Sequence, residues 1–157
     1  MPNIENSNDE LKNNQNVSLK SVSYPPKIIL AWAKAIEGDK DFLKWLNANG
    51  YKELAMSVFA IYLKDDARNW LLENGYAHLM AMINAAEGNV PAQKWLVSHD
   101  MMTFFHIAMA VEDERKSWDW IKKHCGVEIF ILTKSIEKIK DKIDENHKDI
   151  HYFGRDL

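Results

Sequence analysis

Cysteine is nearly absent from this 157-residue chain. Cys125 stands alone, so no internal disulfide can form and no oxidised secreted scaffold is implied. An excess of one charge is missing too. The 20 Lys+Arg against 23 Asp+Glu leave a net charge of −3, without the concentrated positive charge that DNA or RNA binding requires. No apolar run approaches the ~18–20 residues needed to cross a bilayer. Met1-Pro2-Asn3-Ile4-Glu5-Asn6 has neither the basic nor the apolar region of a signal peptide. The six glycines are scattered, giving no G-x-x-x-x-G-K-[ST] phosphate loop, no G-x-G-x-x-G fingerprint and no G-x-S-x-G nucleophile elbow. HExxH and paired CxxC spacings are missing as well, so neither a metal nor a cofactor is expected. These absences point to one soluble, cytoplasmic domain of ordinary size, with no nucleic acid or membrane among its partners.

What is present is organised by repetition. Residues 1–23, rich in Asn, Ser, Lys and Asp, carry too little apolar surface to offset their ordering entropy and read as a disordered polar leader. Tyr24-Pro25-Pro26 marks its end, since paired prolines favour extended backbone and suit the first turn of a helix. Beyond it, Trp45, Trp70, Trp95 and Trp120 recur every 25 residues, each followed by an apolar residue: Leu46, Leu71, Leu96 and Ile121. Cut on this period, four stretches from Ile36, Ile61, Ala86 and Val111 align without gaps, preceded by a half unit at 26–35. Other columns agree. Ala35, Ala60, Ala85 and Ala110 share one, with Ser135 last, and Leu54, Leu79, Phe104 and Ile129 share another, with Ile29 ahead of them. Asn49-Gly50-Tyr51 recurs as Asn74-Gly75-Tyr76.

Each unit predicts two short helices. Phe42, Trp45 and Leu46 lie three and four apart, one face of a helix. Asp39, Asp65 and Asn89 stand where their side chains would cap such helices, and Gly50 and Gly75 where a left-handed residue would end them. A second helix starts at Tyr51 or Tyr76 and carries the stripe Leu54, Val58, Ile61, or Leu79, Ile83, Ala86. Gly38 and Gly88 mark the turn into the next unit. One hairpin cannot bury its apolar face alone, whereas stacked neighbours can. The predicted fold is therefore all-α: a short α-hairpin solenoid over 24–135, with the Trp column wedged between layers and Leu54, Leu79, Phe104 and Ile129 in the core. In the fourth unit Glu112-Asp113-Glu114 replaces the glycine turn, and His124-Cys125 takes the place of Asn-Gly and reads as a turn. Ile129, Leu132, Ile136, Ile139 and Ile143 then form an amphipathic stripe. It predicts a helix whose 136–157 part covers the open end of the stack or, in the alternative, offers a coiled-coil seam for self-association.

Residues 35–50, Asn84-Ala85-Ala86-Glu87-Gly88-Asn89 through Trp95-Leu96, and Leu71-Leu72-Glu73-Asn74-Gly75 resemble the helix–turn–helix half of ankyrin repeats, which carry A-A-x-x-G-[HND], a leucine pair and N-G. The units are shorter than the roughly 33 residues of an ankyrin repeat and lack its T-P-L-H signature. The missing length falls after Asn-Gly, where ankyrins place a β-hairpin loop. The resemblance implies a partner-binding module that recognises through its inner helices and loops, the inner helix corresponding to the second helix of each unit.

The second helices are expected to turn outward a face holding Trp32, Glu53, Met56, His78, Met82 and His106, a shallow groove for an unidentified protein partner. Trp and Met are enriched at such interfaces. Together these readings describe a non-enzymatic adaptor or scaffold, monomeric or weakly dimeric. A self-associating structural protein built on the Ile-rich helix is one alternative. A small-molecule binder or enzyme using a groove near His78 and His106 is the other.

Overall fold

The computed structural model describes residues 23–153, with side chains to 146. The expected leader, apart from Ser23, lies outside the described residues, and so do the side chains beyond 146 in the expected 136–157 segment. Among the described residues every regular element is a helix, and there is no strand. Its elements are α1 (Pro26–Ile36), α2 (Lys40–Ala48), α3 (Lys52–Ile61), α4 (Asp65–Glu73), α5 (Ala77–Ala86), α6 (Val90–Ser98), α7 (Met102–Val111), α8 (Arg115–His124) and α9 (Val127–Phe153). The starts of α2, α4, α6 and α8 fall 25 residues apart, as do those of α3, α5, α7 and α9.

Local chemistry sets these boundaries. Pro26 opens α1 where a missing amide costs nothing. Asp39 accepts from the amides of Asp41 and Phe42, and Asn89 from that of Ala92, as capping predicts. Asp65 does not cap. It sits inside α4, whose preceding residue is Lys64, and faces the helix dipole from the first turn. A second device closes the even helices. Side-chain nitrogens of Asn49, Asn74, His99 and His124 reach back to the carbonyls of Trp45, Trp70, Trp95 and Trp120 at 2.8–3.0 Å. A carbonyl acceptor requires Nδ1 of each of these histidines to carry its proton. Left-handed backbone then turns the chain at Gly38, Leu63, Gly88 and Asp113 on one side and at Gly50, Gly75 and Asp100 on the other. The glycine turn absent from the fourth unit's sequence therefore persists in its backbone, with Asp113 at φ 68°.

The odd-numbered helices are inner and the even-numbered ones outer. Each even helix packs on the two odd helices that flank it in the chain. Each odd helix packs on the next, and α9 packs on α1 as well as on α7, which closes the five inner helices into a ring. The inner helices run parallel. Trp32 of α1 bonds Ser57 of α3 at the same level, and Glu37 at the end of α1 meets Ser135 and Lys138 midway along α9. Trp32, Ser57, Met82, Ile107 and Leu132 form a buried level, spaced 25 residues apart. Ala35, Ala60, Ala85, Ala110 and Ser135 form a second, small enough for close helix approach.

Three expectations change. The C-terminal helix covers no open end: as the last inner helix it packs on the first, and it runs unbroken through the boundary expected at 135. Its stripe is spent inside the ring, where Leu132, Ile136 and Ile139 are buried, so no coiled-coil seam is left on those residues. The Trp column is not wedged between layers. Trp45 is 44% exposed and Trp70, Trp95 and Trp120 are half-buried. Successive helix residues point about 100° apart, and the inward direction belongs to Leu46, Leu71, Leu96 and Ile121, all fully buried. Of the other predicted core positions, Leu54, Leu79 and Phe104 are buried, while Ile129 is half-buried near the start of α9.

Candidate functional site

The six residues expected on an outward groove do not form one. Trp32, His78 and Met82 are each 1% exposed, Glu53 is buried, and Met56 and His106 are half-buried. For Trp32, His78 and Met82 the physical reason is ring closure: in an open stack their helix faces would look out over a concave surface, but here those faces look at one another. Trp32 donates from its indole nitrogen to Ser57 Oγ at 2.8 Å, and Ser57 donates on to the carbonyl of Leu54 at 2.6 Å. Tyr24 donates to Glu53 Oε1 at 3.0 Å. Burial first, and the Glu53 carboxylate second, push the Tyr24 hydroxyl far above the ordinary tyrosine value, so it remains a donor. His78 lies between the Tyr76 and Phe104 rings. Met82 points instead toward the other end of the ring. His106 turns to the outer layer, with Nδ1 2.9 Å from Ser117 Oγ and its ring stacked on Trp120 at 4.1 Å. Burial, the largest influence on it, holds its pKa below the usual histidine value.

The tryptophans missing from the core make the more distinctive surface. Each stands near the C-terminal end of an outer helix, beside the turn into the next inner helix, so the four occupy one end of the ring. Each ring is braced by another. Trp45 stacks on Tyr51 and Trp70 on Tyr76 at 6.1 and 5.9 Å, and Trp95 stacks on His99 at 3.9 Å. Trp120 lies between His106 and His124. Lys52 Nζ stands 5.0 Å over the Trp70 ring, and Phe42 near Trp45 is also exposed. At the same end begin α3, α5 and α7, whose N-caps Tyr51, Tyr76 and Met101 make no side-chain capping bond. The arc thus joins partly exposed indoles to positive helix ends. A signal for it was present in the sequence: the first helix of each unit is more polar than the second, and a helix that buries only a narrow face leaves the column beside that face at the rim.

The opposite end of the ring holds a cavity of about 450 Å³. The buried side chains of Ile61, Met82, Ile83, Ile107 and Ile136 line it, with half-buried Ile143. Glu87, Glu112, Lys140 and Asp144 complete the lining. Lys140 is ion-paired with Glu112. Arg68 pairs with Glu87 and also donates to the Ala60 carbonyl, which ties α4 to both of its inner neighbours.

Among the described residues no group of three His, Cys, Asp or Glu has metal-binding geometry, and no helix is long and apolar enough to cross a membrane. No family model, curated protein or solved structure matches the chain.

Proposed function

We propose that this chain is a non-enzymatic adaptor of 25-residue α-hairpin repeats, similar to ankyrin units in their helix–turn–helix half, that engages a protein segment through its tryptophan arc. One observation carries the reading: four tryptophans at a fixed spacing stay out of the core, Trp45 exposed and Trp70, Trp95 and Trp120 partly so, while each is held flat by a neighbouring ring. An indole fixed before binding loses little conformational entropy on contact, and tryptophan is the residue most enriched where interface energy concentrates. The uncapped starts of α3, α5 and α7 add backbone donors and positive dipole ends, which favour a segment carrying carboxylates among its apolar residues.

The test is selection from a random peptide library on the full chain, followed by titration of the selected peptide against Trp45→Ser/Trp95→Ser. The expected outcome is enrichment of acidic, aromatic-containing peptides. The doubly substituted chain should bind at least about tenfold more weakly, as loss of hot-spot contacts dictates, with its helical circular dichroism retained. Equal binding by a folded double variant overturns the reading. Substituting Trp32 and Met82 could not serve, because both lie in the core.

A further inference from the structure

The cavity opposite the tryptophan arc has no part in the adaptor reading. Its volume, about 450 Å³, lies within the range of small-molecule sites, and its buried lining is apolar: Met82, Ile83, Ile107 and Ile136. A ligand's body must therefore be apolar. The charge around its mouth is the informative part. Glu87, Glu112 and Asp144 supply three carboxylates. Lys140 pairs with Glu112 and Arg68 with Glu87, so Asp144 is the one of the three outside these ion pairs and the mouth keeps one net negative charge. The Lys140 ammonium is already held by Glu112, their side chains only 22% and 29% exposed, so it is not available to an incoming anion. Arg68 is likewise committed to Glu87 and the Ala60 carbonyl. In addition, α3, α5 and α7 end at this mouth, where Leu63, Glu87 and Glu112 follow their last turns. Three parallel helix dipoles thus present their negative ends to the same space.

We propose that this cavity is a binding site for a cationic amphiphile: an apolar body seated against Met82 and Ile107, with a primary ammonium head at Asp144. The sign of the head follows from the mouth, and its separation from the body follows from a carboxylate at the rim of an apolar lining.

Phenylbutylamine, phenylbutanol and phenylbutyrate share one body and differ only in the head, which makes them suitable probes. Each is titrated calorimetrically into the full chain near neutral pH. The amine should bind about threefold or more tighter than the alcohol, the scale of a half-exposed charge pair, and the carboxylate should bind weakest. Asp144→Asn should bring the amine down to the alcohol's affinity. Ile143→Trp, which fills the mouth from α9, should abolish binding while the helical signal persists; Ala86→Leu fills it from α5 if the first variant fails to fold. The proposal is overturned if the carboxylate binds as tightly as the amine, or if amine and alcohol bind equally. It is also overturned if none of the three binds at millimolar concentration, or if a folded, plugged variant still takes up the amine.

Discussion

Trp32 and Trp45 are the same residue type thirteen positions apart, yet they belong to different parts of the protein. Trp32 is enclosed, with its single polar atom bonded to Ser57, whereas Trp45 keeps 44% of its surface in water and stacks on Tyr51. Trp32→Ala is therefore expected to cost about 3–5 kcal/mol, the range for removing a large core aromatic. Trp45→Ala should cost about 1 kcal/mol, since little apolar area leaves water there in the first place. Urea denaturation of the two variants at one temperature checks the contrast, and comparable losses would contradict the assigned environments. The sequence made the column of four tryptophans plain but not its direction. A 25-residue period states that equivalent residues share a setting, and it is silent on whether that setting is core or rim. Trp32, His78 and Met82, assigned to a groove, failed for the same reason: an inner face of an inner helix looks outward until the ring is known to close.

At the scale of elements, helix positions were the most legible feature, because spacing and caps are local. The turns were legible only where glycine marks them. Leu63 occupies the left-handed region at φ 66° where Gly38 and Gly88 stand in the neighbouring turns. A side chain in that region costs about 1–2 kcal/mol, against about 0.5–1 kcal/mol for the added freedom of glycine in the unfolded chain. Leu63→Gly is thus expected to stabilise the protein by up to about 1 kcal/mol, a rise of about 2–4 °C in melting temperature, which a thermal scan will register. The seam between α1 and α9 is electrostatic where α1 ends. Lys138 donates to Glu37 Oε1 and Ser135 to Oε2, both at 3.0 Å, and the Lys138 hydrogen bond foremost holds the Glu37 carboxyl below its ordinary range. Because that folded-state value is depressed, the contribution is complete above the ordinary glutamate value near ~4.3 and fades as pH falls through the lower folded one. Glu37→Gln should cost about 0.5–1 kcal/mol at neutral pH. The gap between wild type and variant should close on acidification, as paired melts from neutral pH into strong acid will register.

For the molecule as a whole, closure matters more than any one unit. In an open stack of repeats each unit meets only its neighbours, and loss of a terminal unit removes one increment of stability. Here α9 meets both the first inner helix and the last but one, and Leu132, Ser135 and Ile136 continue the buried columns of α1 through α7. A chain ending at Gly126 should therefore lose helical structure throughout 26–124 rather than persist as a shorter array, and circular dichroism decides between these outcomes. That closure was out of reach of the sequence. Columns at 132, 135 and 136 announce that α9 continues the pattern, but contact between residues about 100 positions apart depends on how sharply each hairpin turns, a sum of small angles no motif encodes.

The parallel run of α1 beside α9 also has a mechanical meaning. The chain enters the ring at the N-terminal end of α1 and leaves along α9 at the opposite end, past the cavity mouth. Tension applied between those two points pulls the neighbouring helices past each other along their common axis. The α1–α9 seam is then loaded in shear, with its buried side chains and the Glu37 bonds strained together rather than peeled apart one after another.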